Sequence, residues 1–489
     1  MAIAIDRDAF SPAEYEQFSA VLTQQLEQLG QVLATPGFGE GPVTLGAELE
    51  MPLIGPRGEA RPVNVDVLAR LNDPRATVEI ARFNLELNLT PVPAAGRPFR
   101  AIGAEIDALL DGIHRAGAAL DARPMPVGIL PSLTRADVGA GSLTGKPRYL
   151  ALERAILSQR SGPARIHIDG AEPLQTTHDS VTFEGANTSF QLHLRVSAAQ
   201  YADTYNAAQI VTPIAVALAG NSPIFLDHLL WDETRIALFK QSMEHRSAEE
   251  LAWHRPSRVS FGSGWVRRGA LELFAESVRM HPPIFPVCAS APDAHSPPHL
   301  PELRLHQGTV WRWNRAVYDP DAGGHLRIEF RALPSGPTTR DMLANAAFLV
   351  GATVGLRDEI DHILQGCPFL MADTSFYRAA RDGLGATLLW PSRTGLSPRE
   401  RTIPDLVHAL LPVADAGLTS LGVDAGERAE HLGVIADRLA RGQTGARWQR
   451  GALDVLRRRC TRAEAPRQLV LAYAERAASG APVHEWPSL

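Results

Sequence analysis

The chain has 489 residues, with 48 Lys and Arg against 54 Asp and Glu and a formal net charge of −6. No basic stripe or block of like charge stands out, which weighs against a nucleic-acid binder and leaves an ordinary globular chain of about one to three domains. Cys288, Cys367 and Cys460 are too scattered for a disulfide framework or a zinc ribbon, and they fit a reducing cytosol.

The N-terminus, MAIAIDRDAF, lacks the basic and then apolar regions of a signal peptide. Ser11-Pro12 opens a helix over 11–35, in which Phe18, Val21, Leu22 and Leu26 recur at helical spacing. PGFGEGP then reads as a turn, because its glycines precede a strand rather than open a helix. In GAELEMPL (46–53), period-2 alternation puts Leu45, Ala47, Leu49 and Met51 on one face and Glu48 and Glu50 on the other. FNLELNLTPV (83–92) repeats the pattern, with Asn84, Glu86 and Asn88 on its polar face, and 98–120 follow as an amphipathic helix. GAGSLTGKP (139–147) has the wrong glycine spacing for a phosphate loop, and Pro147 stands where Ser or Thr is required.

SFQLHLRVS (189–197) aligns Gln191, His193 and Arg195 on one face. The most apolar run, 210–225, contains Pro213 and is too short to span a bilayer; it reads as a buried helix entering a polar turn. The Pro-rich stretch 282–301 reads as a long loop or lid. Near residue 325, HLRIEFRALPSGPT puts Arg327, Glu329 and Arg331 on one face and Leu326, Ile328 and Phe330 on the other. From 338 the pattern is helical to about residue 480. The parts are an N-terminal helix (1–40), a sheet core with inserted helices (41–345) and a helical C-terminal part (346–489), with no clean boundary between them.

Four strands far apart in sequence thus carry polar faces rich in carboxylate, imidazole and guanidinium. Taken alone, each reads as a solvated face, and His193 reads first as a structural histidine. In one antiparallel sheet they would line a common surface whose carboxylates need cations. Magnesium is held by a few carboxylates plus substrate phosphates, and arginines contact phosphate oxygens bidentately. The combination suits ATP-dependent phosphoryl transfer.

GAELEMPL, EIARFNLELNLTPV, KPRY, SFQLHL, ALAGNSPI followed by DETR, and RIEFRALPSGPT resemble, in their order and approximate spacing, the glutamate–cysteine ligase family. These are carboxylate–amine ligases whose catalytic domain is similar to that of glutamine synthetase. The resemblance implies an α+β fold, in which a strongly curved antiparallel sheet forms an active-site funnel flanked by helices, and a single catalytic domain over 1–489. It implies two or three magnesium ions between ATP and substrate, with Glu48, Glu50, Glu86, His193 and Glu329 as ligands. Glu79 matches a further ligand position, although strict alternation puts it on the opposite face from Glu86, so that a bulge or bend is needed between them. By the same resemblance Glu50, Glu329 and Arg331 are catalytic, and Arg327 and Arg331 bind nucleotide. Arg235 grips a substrate α-carboxylate, and Arg148 and Tyr149 stand near the mouth as further substrate-binding residues.

The implied reaction phosphorylates a substrate carboxylate with ATP, and an amine then displaces phosphate. No cysteine nucleophile is required. The first expectation is γ-glutamyl–cysteine formation for glutathione biosynthesis, by a cytoplasmic enzyme that acts on small molecules and touches neither nucleic acid nor membrane. Rival readings are a ligase with another acid or amine, a guanidine kinase of related fold, and a non-catalytic protein on the same scaffold. Replacing Glu50 or Glu329 with Ala is expected to abolish turnover without unfolding the chain.

Overall fold

The alternation around residues 45–53 resolves as the central strand of a sheet. The computed structural model describes residues 3–160, 162–290, 293, 295–391 and 397–489. The sheet is built from β1 (Thr44–Ile54), β2 (Ala76–Val78), β3 (Asn84–Asn88), β4 (Phe190–Val196), β5 (Asn314–Asp319) and β6 (His325–Phe330). Their spatial order is β5-β6-β4-β1-β3-β2, and every pairing is antiparallel. Short strands Val92–Pro93 and Arg123–Pro124 pair with the two ends of β1. Leu45, Ala47, Leu49, Met51, Leu85, Leu87, Leu192, Leu194, Ile328 and Phe330 are buried on the apolar side. Burial of each large apolar side chain contributes about 1.5–3 kcal/mol, which makes this face the anchor of the sheet.

Helices flank the sheet. They include α1 (Pro12–Leu33), α2 (Pro98–Gly117), α3 (Pro147–Gln159), α4 (Tyr201–Ala219), α5 (Arg235–Ser242), α6 (Thr339–Arg357) and α7 (Ile403–Ser420). The Ser11 backbone N–H donates to Glu14 at 2.8 Å, which caps α1 where the Ser-Pro pair places its start. Adjacent residues at the start of α3 reach both edges of the sheet. The Tyr149 hydroxyl donates to the Val78 carbonyl beside β3 (2.8 Å), and Arg148 lines a cavity of about 230 Å³ together with Arg315, Val317 and Tyr318 of β5. One helix end can touch both edge strands because the sheet is strongly curved.

Some elements differ from expectation. β5 follows closely on a pair of tryptophans whose core-like spacing masks the strand; Trp311 and Trp313 pack on Phe239, with ring centroids 6.0 and 5.8 Å away. Hairpins Ala164–Ile168/Leu174–His178 and Thr387–Trp390/Arg399–Thr402 have no counterpart in the sequence pattern, and the second interrupts a helical region. The Pro-rich stretch forms no helix or strand among its described residues before Pro301; residues 291, 292 and 294 lie outside the described residues. Among the described residues, no helix is long and apolar enough to cross a membrane.

α6 begins eight residues after Arg331, so its seating fixes the end of β6. It crosses α7 at Gly351, Gly355 and Gly417. A Cβ at Gly417 would overlap the Gly351 carbonyl oxygen, and one at Gly351 would lie 2.5 Å from the Ala414 oxygen. Gly417→Ala should therefore destabilise the protein by about 1–3 kcal/mol through overpacking. A lower urea midpoint at unchanged slope is the expected readout, and a wild-type midpoint would show that the helices separate freely.

Candidate active site

The strand register builds the site. Glu50 lies opposite Glu86, and Glu48 lies opposite Gln191 and Asn88 on its two sides. His193 lies between Gly46 and Glu329, with no side chain at position 46 to cover the ring. Two groups of side-chain atoms that could hold a metal ion result, Glu48/His193/Glu329 and Glu50/Glu79/Glu86, each with one atom per residue within 4.8 Å of the others.

The groups differ in charge balance. Glu329 is fully buried and accepts from Arg315 Nε at 2.7 Å and Arg315 Nη2 at 2.9 Å. Arg331 Nη1 also donates to Glu329, and to Gln191 Oε1 at 2.5 Å. Burial opposes ionisation of Glu329, but the charges of Arg315 and Arg331 outweigh it and hold the carboxyl well below the usual range. Burial likewise opposes ionisation of Glu48, and the hydrogen bond between His193 Nε2 and Glu48 Oε1 (3.0 Å), together with the charges of His193 and Arg331, outweighs it, so Glu48 is also held low.

In the second group, burial is the largest influence on all three carboxyls and pushes each of them up. Glu79 reaches about 8, with the Glu50 and Glu184 charges adding to burial. Glu86 is raised well above the usual range by burial and the charges of Glu48, Glu79 and Glu50. Glu50 is raised despite Arg331 and Arg235, and despite accepting from Ser189 N (2.8 Å), Ser189 Oγ (3.0 Å) and Gln191 Nε2 (2.9 Å). The first group is thus neutralised from within, whereas the second is a set of repelling carboxylates.

Glu79 joins its partners by a different route from the one the alternation requires. Residues 79 and 86 do not share a strand. β2 ends at Val78, the chain turns, and β3 returns antiparallel with Thr77 opposite Glu86. A hairpin takes the place of a bulge within one strand.

The remaining expected residues are spread around this centre. Arg327 pairs with Asp319 at 2.6 Å and lines a cavity of about 430 Å³ with Glu48, His193, Arg195 and His325. That volume is within the usual range for small-ligand sites. Arg195 Nη2 donates to the Glu40 carbonyl (3.0 Å), which ties the PGFGEGP turn to β4; Gly37 and Gly39 there have φ of +78° and +74°. Arg235 is buried. Its Nη1 donates to Glu233 (2.9 Å) and the Ala332 carbonyl (3.1 Å), while its Nε has no partner among the described residues. Tyr149 lies within the fields of Glu79 and Glu86, and burial and those charges push its hydroxyl pKa up. The Arg148 guanidinium lies 5.7 Å from the Phe285 ring centroid.

Three contributors lie outside the expected set. Arg315 belongs to β5, the strand masked by the tryptophans, although Ala316 and Tyr318 alternate with it as buried residues. Ser189 continues the parity of Gln191 and His193 and is legible one step back along β4. Glu184 lies on a short 3₁₀ turn (Glu184–Ala186), where no periodicity marks it. Burial and the Glu50 charge push Glu184 up to about 8, against the opposing charge of Arg331.

The sequence model of glutamate-cysteine ligase family 2 matches residues 44–469. Among solved structures, a glutamate–cysteine ligase from Francisella tularensis in complex with AMP is similar, with a TM-score of 0.57 and 13% identity over 92% of this chain and 90% of that one. A bifunctional glutathione synthetase from Pasteurella multocida has a TM-score of 0.52 and 11% identity over 94% of this chain and 55% of that one. At these identities the likeness to the solved structures is one of fold. No curated protein matches the sequence.

Proposed function

Because the chain belongs to glutamate–cysteine ligase family 2 and is an ATP-dependent C–N ligase, we propose that it joins the γ-carboxylate of glutamate to the amine of cysteine. We take it to act in the cytoplasm and to serve glutathione biosynthesis. The observation that carries this reading is the presence of two ligand groups and Arg331 on one face of a curled sheet. Their donors fit magnesium, because five of the six ligand residues are glutamates, whose oxygens suit a hard cation. The mutual repulsion of Glu50, Glu79 and Glu86 is what a cation relieves. Bound magnesium would neutralise phosphate oxygens and polarise the transferring phosphoryl group.

The chain's own groups supply the rest. Arg331, held against Glu329 and Gln191, faces the oxygens of the transferring phosphoryl group, and Arg327 holds nucleotide phosphates from the adjoining cavity. Transfer to the substrate carboxylate gives an acyl phosphate, and the amine attacks its carbonyl carbon as phosphate leaves. Arg235 meets the substrate α-carboxylate, and Arg148 and Tyr149 bind substrate near the mouth. Purified protein given ATP, magnesium, glutamate and a panel of amines should release phosphate fastest with cysteine. Release only with another amine or acid would replace the substrate assignment, and no release with any pair would favour a non-catalytic protein on this scaffold.

A second expectation concerns pH. Glu79 has a raised pKa in the folded chain, so its contribution to metal-free stability is complete below about pH 4.5 and is lost as pH rises through about 8. A cation binds the deprotonated group and releases protons when it binds at lower pH. The rise in melting temperature on adding magnesium should therefore be larger near about pH 8.5 than near about pH 6. Equal rises at both would contradict a cation held by Glu50, Glu79 and Glu86.

A further inference from the structure

Three arginines line the cavity of about 230 Å³ where the start of α3 meets the β5 edge of the sheet, and among the described residues no Asp or Glu lines it. Arg148 comes from α3, Arg304 from the helix Pro301–Gln307 and Arg315 from β5. Arg315 is shared with the first ligand group. Its Nε and Nη2 donate to Glu329 at 2.7 and 2.9 Å, and its Nη1 makes no hydrogen bond among the described residues. Arg304 is half-buried and Arg148 exposed, and neither guanidinium meets a carboxylate or a carbonyl oxygen among the described residues. Guanidinium groups gathered without a counter-charge make this cavity attractive to anions.

The same cavity holds an unmet acceptor. Gln307 lines it and is only 5% exposed. Its Nε2 donates to the Ala316 carbonyl of β5 at 3.2 Å. A carbonyl needs a donor, so this bond fixes which end of the amide carries the nitrogen. Gln307 Oε1 is left buried with no hydrogen-bond partner among the described residues. A buried acceptor without a donor is unfavourable until a ligand satisfies it. Arginines and acceptor together describe a small molecule with an anionic group and an N–H close to it. Phe274 and Leu305 give the cavity apolar walls, and its volume, below the usual range for larger ligands, suits a molecule of amino-acid size.

In the proposed reaction the nucleotide phosphates have Arg327, Arg331 and the cations, and the α-carboxylate of the acid substrate has Arg235. The carboxylate of an amino-acid acceptor is the one anion still without a partner. We propose that this cavity is the acceptor subsite, in which Arg304 and Arg148 hold the acceptor's carboxylate and Gln307 Oε1 takes an N–H of the same molecule. Guanidinium groups suit this task because they can donate two parallel hydrogen bonds to one carboxylate. Arg315 joins the subsite to Glu329 and so to the first ligand group. The inference rests on the ligase reading above and adds that the acceptor is selected for its free carboxylate.

The test compares cysteine with cysteamine, the same molecule without its carboxylate, as acceptors for wild type, Arg304→Ala and Arg304→Lys in saturating ATP, magnesium and glutamate. Wild type should favour cysteine in kcat/KM by roughly tenfold or more, the equivalent of one hydrogen bond to a charged group. Arg304→Ala should remove most of that preference by raising the KM for cysteine, while the KM values for cysteamine, glutamate and ATP stay within about twofold. Arg304→Lys keeps the charge without the planar fork and should retain part of the preference. If Arg304→Ala fails to fold, Arg304→Lys is read alone and should still lower the ratio. An active wild type with no preference for cysteine, or a preference that both variants keep, would overturn this inference alone. Equal rises in KM for both acceptors, or a rise for glutamate or ATP instead, would show that Arg304 does not read the acceptor's carboxylate and would overturn it too. A wild type with no turnover for any acid and amine would overturn both this inference and the ligase reading.

Discussion

Glu86→Gln is expected to abolish turnover while making the metal-free protein more stable. Glu86 faces Glu50 directly across β1 and β3 and shares its ligand group with Glu79, and burial and these charges raise its carboxyl well above the usual range. The hydrogen bond from Asn88 Nδ2 to its Oε1 at 2.8 Å can be kept by the glutamine oxygen. Removing one of two like charges that lie opposite each other in a sheet is worth about 0.2–1 kcal/mol. The same change removes a ligand from the group that magnesium would occupy. Losing one preorganised electrostatic contribution to a transition state costs on the order of 10²–10³ in rate. Thermal melts in chelator and in magnesium, beside phosphate-release rates, read both effects. A lower melting temperature in chelator, or a rate near wild type, would contradict this account of the group.

Glu329→Ala should behave in the opposite way and destabilise the chain by about 3–5 kcal/mol, the usual cost of removing one partner from a buried ion pair. Glu329 has no exposed surface, and both Arg315 and Arg331 neutralise it. Alanine at this position leaves two guanidinium groups uncompensated in a buried site, so this variant is expected to lose stability as well as turnover. The pH dependence carries the same sign. A carboxyl held low in the folded chain contributes stability that is present above its ordinary pKa of about 4.5 and is lost as pH falls through its lowered folded value. Urea unfolding near neutral pH should show a large drop in midpoint, and Arg315→Ala combined with Glu329→Ala should cost less than the sum of the two single changes. Wild-type stability of Glu329→Ala would contradict the internal neutralisation of the first ligand group.

Period-2 alternation makes half of the site legible in the amino-acid sequence. Glu48, Glu50, Glu86, His193 and Glu329 each stand on the polar side of a strand whose other side is apolar, and this pattern survives in the folded chain. Helix starts are legible for a similar local reason, as with Ser11-Pro12 at α1. Register is not legible, because it depends on which strands pair. Nothing within GAELEMPL says that Glu50 meets Glu86, or that His193 will sit opposite Glu329. Alternation misplaces Glu79 because it assumes one continuous strand, which the hairpin between β2 and β3 replaces. Arg315 and Glu184 stay hidden because one lies on an edge strand that follows a tryptophan pair and the other on a turn without period. Local pattern thus puts five of the six candidate ligands on polar strand faces, and the long-range pairing that divides the six into a neutralised group and a repelling group emerges only in three dimensions.

The most direct test follows oxygen. With glutamate labelled by ¹⁸O in its γ-carboxylate, turnover with ATP, magnesium and the accepted amine should move one labelled oxygen into the released phosphate for each amide formed. That transfer is the mark of an acyl phosphate made at the expense of ATP. Amide formation with unlabelled phosphate would contradict carboxylate activation by phosphoryl transfer at this site.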